Sequence, residues 1–130
     1  MTVGILLVTH EGIGTALRGV AERLLTPMPL RVEVLEVPFD ADPDAILPVA
    51  STALRRADSG EGVLVLTDLY GASPSNLAGR LSRLGTPVRR VSALNLPMLL
   101  RVLNYADLAL DELPAIAIAG GRNGVQLDDI

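Results

Sequence analysis

Two nearly unbroken apolar stretches, "VGILLVT" at residues 3–9 and "GVLVLTD" at residues 62–68, constrain the fold of this chain most. Neither shows the polar–apolar alternation of a strand with one wet face. Such runs suit strands covered on both sides, as in a parallel sheet packed between helices. The sequence between and after them supports this. "HEGIGTALRGVAERLL" switches to a helical period, with Ile13, Leu17, Val20, Ala21, Leu24 and Leu25 on one face and Arg18, Glu22 and Arg23 away from it. "TPMP" ends that helix. "LRVEVLEV", residues 30–37, alternates cleanly and predicts a strand near a sheet edge. Asp42 and Pro43 read as the N-cap and first residue of a second helix that runs to about Asp58.

"LYGASPSN" is a glycine- and proline-bearing loop that opens a third helix over residues 74–84, followed by a fourth strand at 88–94. "NLPMLLRVLNY" predicts a short apolar helix, and "DLALDELPAIAIAGG" a further one, with Asp111 as N-cap and Gly120 and Gly121 as its end. Pro114 is tolerable only in a first turn, which argues against a continuous helix from Asp107. "GVQLDDI" closes the chain with a turn and a short strand-like alternation. The resulting β-α-β-α-β-α-β-α pattern implies a three-layer α/β fold, a mainly parallel sheet with helices on both faces, in one domain spanning residues 1–130.

Composition narrows the function. Apolar residues make up 49% of the 130 residues and aromatics only 2%, so the core is aliphatic. Cysteine is absent, which removes disulfides and structural zinc and is compatible with a reducing cytoplasm. A net charge of −4 argues against nucleic acid. All 11 basic residues are arginine, so Schiff-base chemistry and Walker-type nucleotide sites are excluded. No signal peptide is recognisable, and no apolar run approaches the ~20 residues that span a bilayer. A cytoplasmic location is expected.

In open parallel sheets, ligands meet the C-terminal strand ends where the winding reverses. His10, the only histidine, lies just past the first strand, Asp68 just past the third and Asn95 just past the fourth; Thr9 belongs to the same rim. With strand order 2-1-3-4, the first and third strands are neighbours, and His10 faces Asp68 across the crevice. A carboxylate that accepts the Nδ1 proton fixes the imidazole tautomer and leaves Nε2 as nucleophile. "GASPSN" supplies the N-terminus of a helix, whose free N–H groups favour an anion, and Ser73 and Ser75 add hydroxyls. Nucleophile, orienting acid and anion cradle together point to phosphoryl transfer through a phosphohistidine. Each residue also has a plainer reading: His10 as a loop residue, Asp68 as a turn cap, and "ASPSN" as a helix cap. A dinucleotide site fails because Leu17 stands where G-x-G-x-x-G requires its last glycine. A response-regulator receiver fails for want of a lysine.

"GILLVTH", "VLVLTDLYGASPSN", "ALNLPMLL" and "GGRNGV" resemble the IIA domain of the mannose class of the bacterial phosphoenolpyruvate:sugar phosphotransferase system. The similarity runs from end to end. Its most specific part is D-x-x-G-[GA]-[ST]-P-x-N, here Asp68, Gly71, Ala72, Ser73, Pro74 and Asn76, followed by Asn95, Leu96, Pro97 and Met98. The resemblance implies that His10 is phosphorylated on Nε2 by phospho-HPr and oriented by Asp68, with Gly71, Ala72 and Ser73 holding the phosphoryl oxygens. It implies no metal and no cofactor, since the incoming group is already activated. It implies a homodimer in which the C-terminal strand crosses to the partner's sheet, and a separate IIB protein as acceptor for sugar uptake, with the membrane reached only through transporter subunits. If no IIB exists, it implies a regulatory protein whose partners depend on the state of His10. A flavodoxin-like domain that binds a small molecule without chemistry is a third alternative. Glu11 departs from the pattern, standing beside the histidine where a small residue is frequent.

Overall fold

The computed structural model describes residues 2–128. Strands β1 (Gly4–His10), β2 (Val32–Val37), β3 (Val63–Thr67) and β4 (Val88–Val91) alternate with helices α1 (Ile13–Leu24), α2 (Pro43–Ala57), α3 (Ser73–Leu81) and α4 (Leu96–Leu103). A 3₁₀ turn, Leu110–Glu112, leads into α5 (Leu113–Asn123). The four strands form one sheet in the order β2-β1-β3-β4, and every pair is parallel. The α/β architecture and strand order expected from the sequence are those observed.

The apolar runs are explained by two cores. Ile5, Leu7, Leu64, Leu66 and Val91 pack on one face of the sheet with Ala21 of α1, Met98, Leu99 and Val102 of α4, and Ala117 of α5. Leu6, Val8, Val63 and Val65 pack on the other with Ala50 and Leu54 of α2 and Leu77, Ala78 and Leu81 of α3. Successive side chains of a strand point to opposite faces, so a strand buried on both must be apolar at every position. β2, at the sheet edge, does not keep one wet face: Val32 and Val34 lean on the first core, while Leu35 and Val37 are buried in the second.

Several boundaries differ from expectation. His10 is the last residue of β1 and not a residue beyond it. α3 stops at Leu81 and β4 at Val91. Two residues past β4, Ala93 has a φ of 69°, outside the extended range. α1 leaves Ile13, Val20 and Leu24 exposed, because it covers the sheet beside edge strand β2 and presents only a narrow strip to the core. Glu112, not Asp111, precedes α5, and Pro114 falls in its first turn. Gly120 and Gly121 do not end that helix. A Cβ at Gly120 would lie 2.5 Å from Cβ of Arg101, and one at Gly121 would lie 2.9 Å from Cε of Met98. These glycines let α5 close on α4. Residues 125–128 form no strand, and Asp129 and Ile130 lie outside the described residues, so strand exchange is not seen in this single chain.

Two glycine substitutions should have opposite signs. A Cβ at Gly4 would sit 1.9 Å from the carbonyl oxygen of Ala57, whereas nothing lies within 4 Å of the Cβ position at Gly19 in α1. We predict that Gly4→Ala lowers stability by about 1–3 kcal/mol or more and that Gly19→Ala raises it by about 0.5–1 kcal/mol, read from urea midpoints.

Candidate functional site

The register of β1 and β3 builds the site. Val8 pairs with Thr67, so the last residue of β1 and the first residue after β3 meet at the C-terminal edge of the sheet. Oδ2 of Asp68 accepts the backbone N–H of His10 at 2.9 Å and lies 2.7 Å from its Nδ1. A carboxylate only accepts hydrogen bonds, so Nδ1 carries the proton in this contact and Nε2 is left with its lone pair. The pair is sheltered: the side chain of His10 is 20% exposed and that of Asp68 9%. Oδ1 of Asp68 is buried and has no hydrogen-bond partner among the described residues.

Strand parity decides which helix attends the imidazole. His10 shares its face with Leu6 and Val8, which α2 and α3 cover; Thr9 shares its face with Ile5 and Leu7, which α1 covers. Thr9 is wholly buried below the rim. Its Oγ1 donates to the carbonyl of His10 at 2.8 Å and accepts from Gly14 N–H at 2.9 Å. The N–H of Thr15 donates to Oε2 of Glu36, in β2, at 3.0 Å. The first turn of α1 is therefore capped from β1 and β2.

The other helices beginning at this edge divide in the same way. Asp42 caps α2 through Asp44 N–H at 3.1 Å, and Oδ1 of Asn95 caps α4 through Met98 N–H at 2.9 Å. Nδ2 of Asn95 also donates to the carbonyl of Gly121 at 3.2 Å, so this residue ties α4 to α5. α3 has no side-chain cap. Gly71, at φ 85°, turns the chain into it, and Pro74 in its first turn brings no N–H. The N–H of Ala72 is taken by the carbonyl of Leu69 at 3.3 Å, while those of Gly71 and Ser73 meet no acceptor among the described residues. Ser73 borders a small pocket of about 110 Å³ with Val37, the residue paired with His10 across β1 and β2. Ser75 lies elsewhere, in a groove with Thr67, Arg90 and Ser92 over β4. Glu11 is exposed.

One neighbour of His10 is absent from the sequence reading. The ring of Phe39 stacks on the imidazole, with centroids 5.0 Å apart and planes 29° from parallel. Phe39 is the only phenylalanine and stands two residues beyond β2, at the same sheet edge. That position is the signal by which it could have been found.

Fold and site define a class: a parallel α/β domain of order 2-1-3-4 that holds a carboxylate-bound histidine where its winding reverses. Within it, the chain belongs to the family described as the PTS system fructose IIA component (EIIA-man), whose model matches residues 4–118. It is 31% identical over 128 residues to the mannose-specific EIIAB component of the PTS system of Escherichia coli (strain K12), covering 97% of this chain and 39% of that protein. The chain thus spans well under half the length of that relative. It is 30% identical over 113 residues to the transcriptional regulatory protein LevR of Bacillus subtilis (strain 168), covering 83% of this chain and 12% of that protein. The solved mannose/sorbose-specific IIA subunit from Enterococcus faecalis superposes with a TM-score of 0.87 at 21% identity, covering 100% of this chain and 97% of that one. The PTS IIA protein associated with the fucose utilization operon of Streptococcus pneumoniae superposes with a TM-score of 0.77 at 25% identity, over 98% and 93% of the two chains. No helix of the described residues is long and apolar enough to cross a membrane.

The capping role of Glu36 yields a pH prediction. Hydrogen bonds, first from Thr15 N–H and then from Gly12 N–H, hold its carboxyl below the ordinary value of 4.5. A folded-state pKa below the unfolded one contributes stability that is fully present above about pH 4.5 and lost as the pH falls through the lowered value. Glu36→Gln should flatten that part of the acid-unfolding curve while keeping an acceptor for Thr15 N–H, whereas Glu36→Ala should also lower stability at pH 7 by about 1 kcal/mol, the usual size of a lost helix cap.

Proposed function

We propose that the chain is a phosphoryl carrier of the phosphoenolpyruvate-dependent phosphotransferase system. His10 accepts the phosphoryl group from phosphorylated HPr and passes it to a IIB unit in support of sugar uptake. The observation that carries this reading is the 2.7 Å contact between Nδ1 of His10 and Asp68, which leaves Nε2 as the free ring nitrogen. In the transfer, the Nε2 lone pair forms a P–N bond as the donor's P–N bond breaks, and that electron pair returns to the donor imidazole. The Nδ1 proton stays in place. The His10 ring becomes cationic beside the Asp68 carboxylate, and the donor ring becomes neutral, so charge is conserved. The N–H groups of Gly71 and Ser73 and the Ser73 hydroxyl receive the phosphoryl oxygens at the uncapped end of α3. Ala72 shapes this loop, its own N–H being engaged with Leu69. Thr9 and Asn95 act from beneath, fixing the elements that carry the rim.

The reaction needs no cofactor or metal, because the group arrives activated on nitrogen. The working unit is a cytoplasmic homodimer, in which the segment at residues 125–128 pairs with the β4 edge of a second copy's sheet. Support comes from Val125 and Leu127, which are 77% and 86% exposed and alternate with polar residues, and from β4 forming the sheet edge.

The 30% identity to a transcriptional regulator favours a second reading, in which the state of His10 governs binding to a regulated partner and no sugar is moved. The two readings share the first step and differ in the acceptor. Incubation with phosphoenolpyruvate, enzyme I and HPr should add about 80 Da, the mass of one phosphoryl group. His10→Ala should gain nothing, and Asp68→Asn should be phosphorylated about 10²-fold more slowly. Intact-mass spectrometry reads all three, and a mark that survives the loss of His10 contradicts both readings.

A further inference from the structure

We propose that Phe39 is a positioning residue for His10, fixing the plane of the imidazole from which the phosphoryl transfer proposed above proceeds. The inference rests on that reading for its consequence, but its geometry stands alone. Asp68 grips the imidazole at one edge atom, Nδ1, and the backbone N–H beside it. An edge contact of this kind fixes where Nδ1 sits but still allows the ring to rock about the line from Cβ to Nδ1. Rocking swings Nε2, the atom that must lie on the line of attack. A second contact on the face of the ring removes that freedom, and Phe39 is the group placed there, at 5.0 Å and 29°.

The position of Phe39 is otherwise unexplained. It is 82% exposed and belongs to neither core. An aromatic ring held in water gains little from burial, so its stacked partner is what gives it a preferred place. The hairpin of chain that carries it is itself tied down. The N–H of Ala41 donates to the carbonyl of Pro38 at 3.1 Å, closing a turn around Phe39, and α2 begins at Pro43 directly after it. Proline at 38 restricts the entry to the turn. The aromatic ring is thus presented to His10 by a short, constrained segment between β2 and α2.

The test compares Phe39→Ala, Phe39→Leu and Phe39→Tyr with the wild type. A residue this exposed can be replaced without unfolding the chain, and equal thermal midpoints check that. We expect Phe39→Ala to reduce the maximal rate of His10 phosphorylation by phospho-HPr about 3- to 10-fold, with the half-saturating HPr concentration changing less than about twofold. Phe39→Leu should resemble Phe39→Ala, because it keeps bulk but not a flat face, and Phe39→Tyr should restore the wild-type rate. Independently of any transfer, ¹³C relaxation of the His10 ring should show greater ring motion in Phe39→Ala and Phe39→Leu than in wild type or Phe39→Tyr. An effect confined to the half-saturating concentration would make Phe39 a docking contact and overturn the proposal, as would unchanged ring motion or a failure of tyrosine to rescue. A wild-type chain that takes no phosphate from HPr would refute the proposed function instead, and ring motion alone would then decide the role of Phe39.

Discussion

One carboxylate oxygen organises this molecule's chemistry. Oδ2 of Asp68 holds both the main-chain N–H and the ring Nδ1 of His10, at 2.9 and 2.7 Å, so the same atom locks the end of β1 and the tautomer of its last side chain. The contact exists only because β1 and β3 are adjacent and in a register that pairs Val8 with Thr67, which brings Asp68 up beside the end of β1. A slip of one residue would turn His10 to the α1 face and bring Thr9 to the α3 face. The apolar runs of both strands, buried on both sides at nearly every position, hold that register. The aliphatic core is thus the foundation of the site as well as of the fold.

The helix ends distribute the work that remains. α1 directly follows His10, yet its first-turn N–H groups are occupied by Thr9 and Glu36, which makes it a strut. α2 and α4 carry their own caps in Asp42 and Asn95. α3 alone among these four begins without a side-chain cap, and it covers the face on which His10 stands. A positive helix end left open on the face of the sheet that carries His10 would suit the anion of the proposed transfer.

Much of this was legible in the sequence. The unalternating runs at 3–9 and 62–68 carried the parallel sheet, and the edge character of β2 showed in its alternation. Once the strand order was drawn, His10 and Asp68 fell together, because topology fixes which strand ends are neighbours. What topology leaves open is where a side chain points. Thr9 and Asn95 stand at strand ends in the sequence, which suggests the rim; in the fold Thr9 is buried under the rim and Asn95 spans two helices. Gly120 and Gly121 read as a helix end because glycine usually marks one, whereas here they admit Arg101 and Met98 of a neighbouring helix, a tertiary fact with no local signature. Phe39 escaped for the complementary reason. A lone aromatic in a loop has no periodicity, and only the folded path of the chain sets it on the imidazole.

The chemistry of the site turns on one proton: in the neutral ring of His10 it resides on Nδ1, held by Asp68, and Nε2 is bare. Two-bond ¹H–¹⁵N correlation spectra of the free protein read this directly. The structure predicts the Nδ1–H tautomer, lost or mixed in Asp68→Ala. A wild-type ring with its proton on Nε2 would contradict the account, because the nitrogen assigned to receive phosphate would have no lone pair to offer.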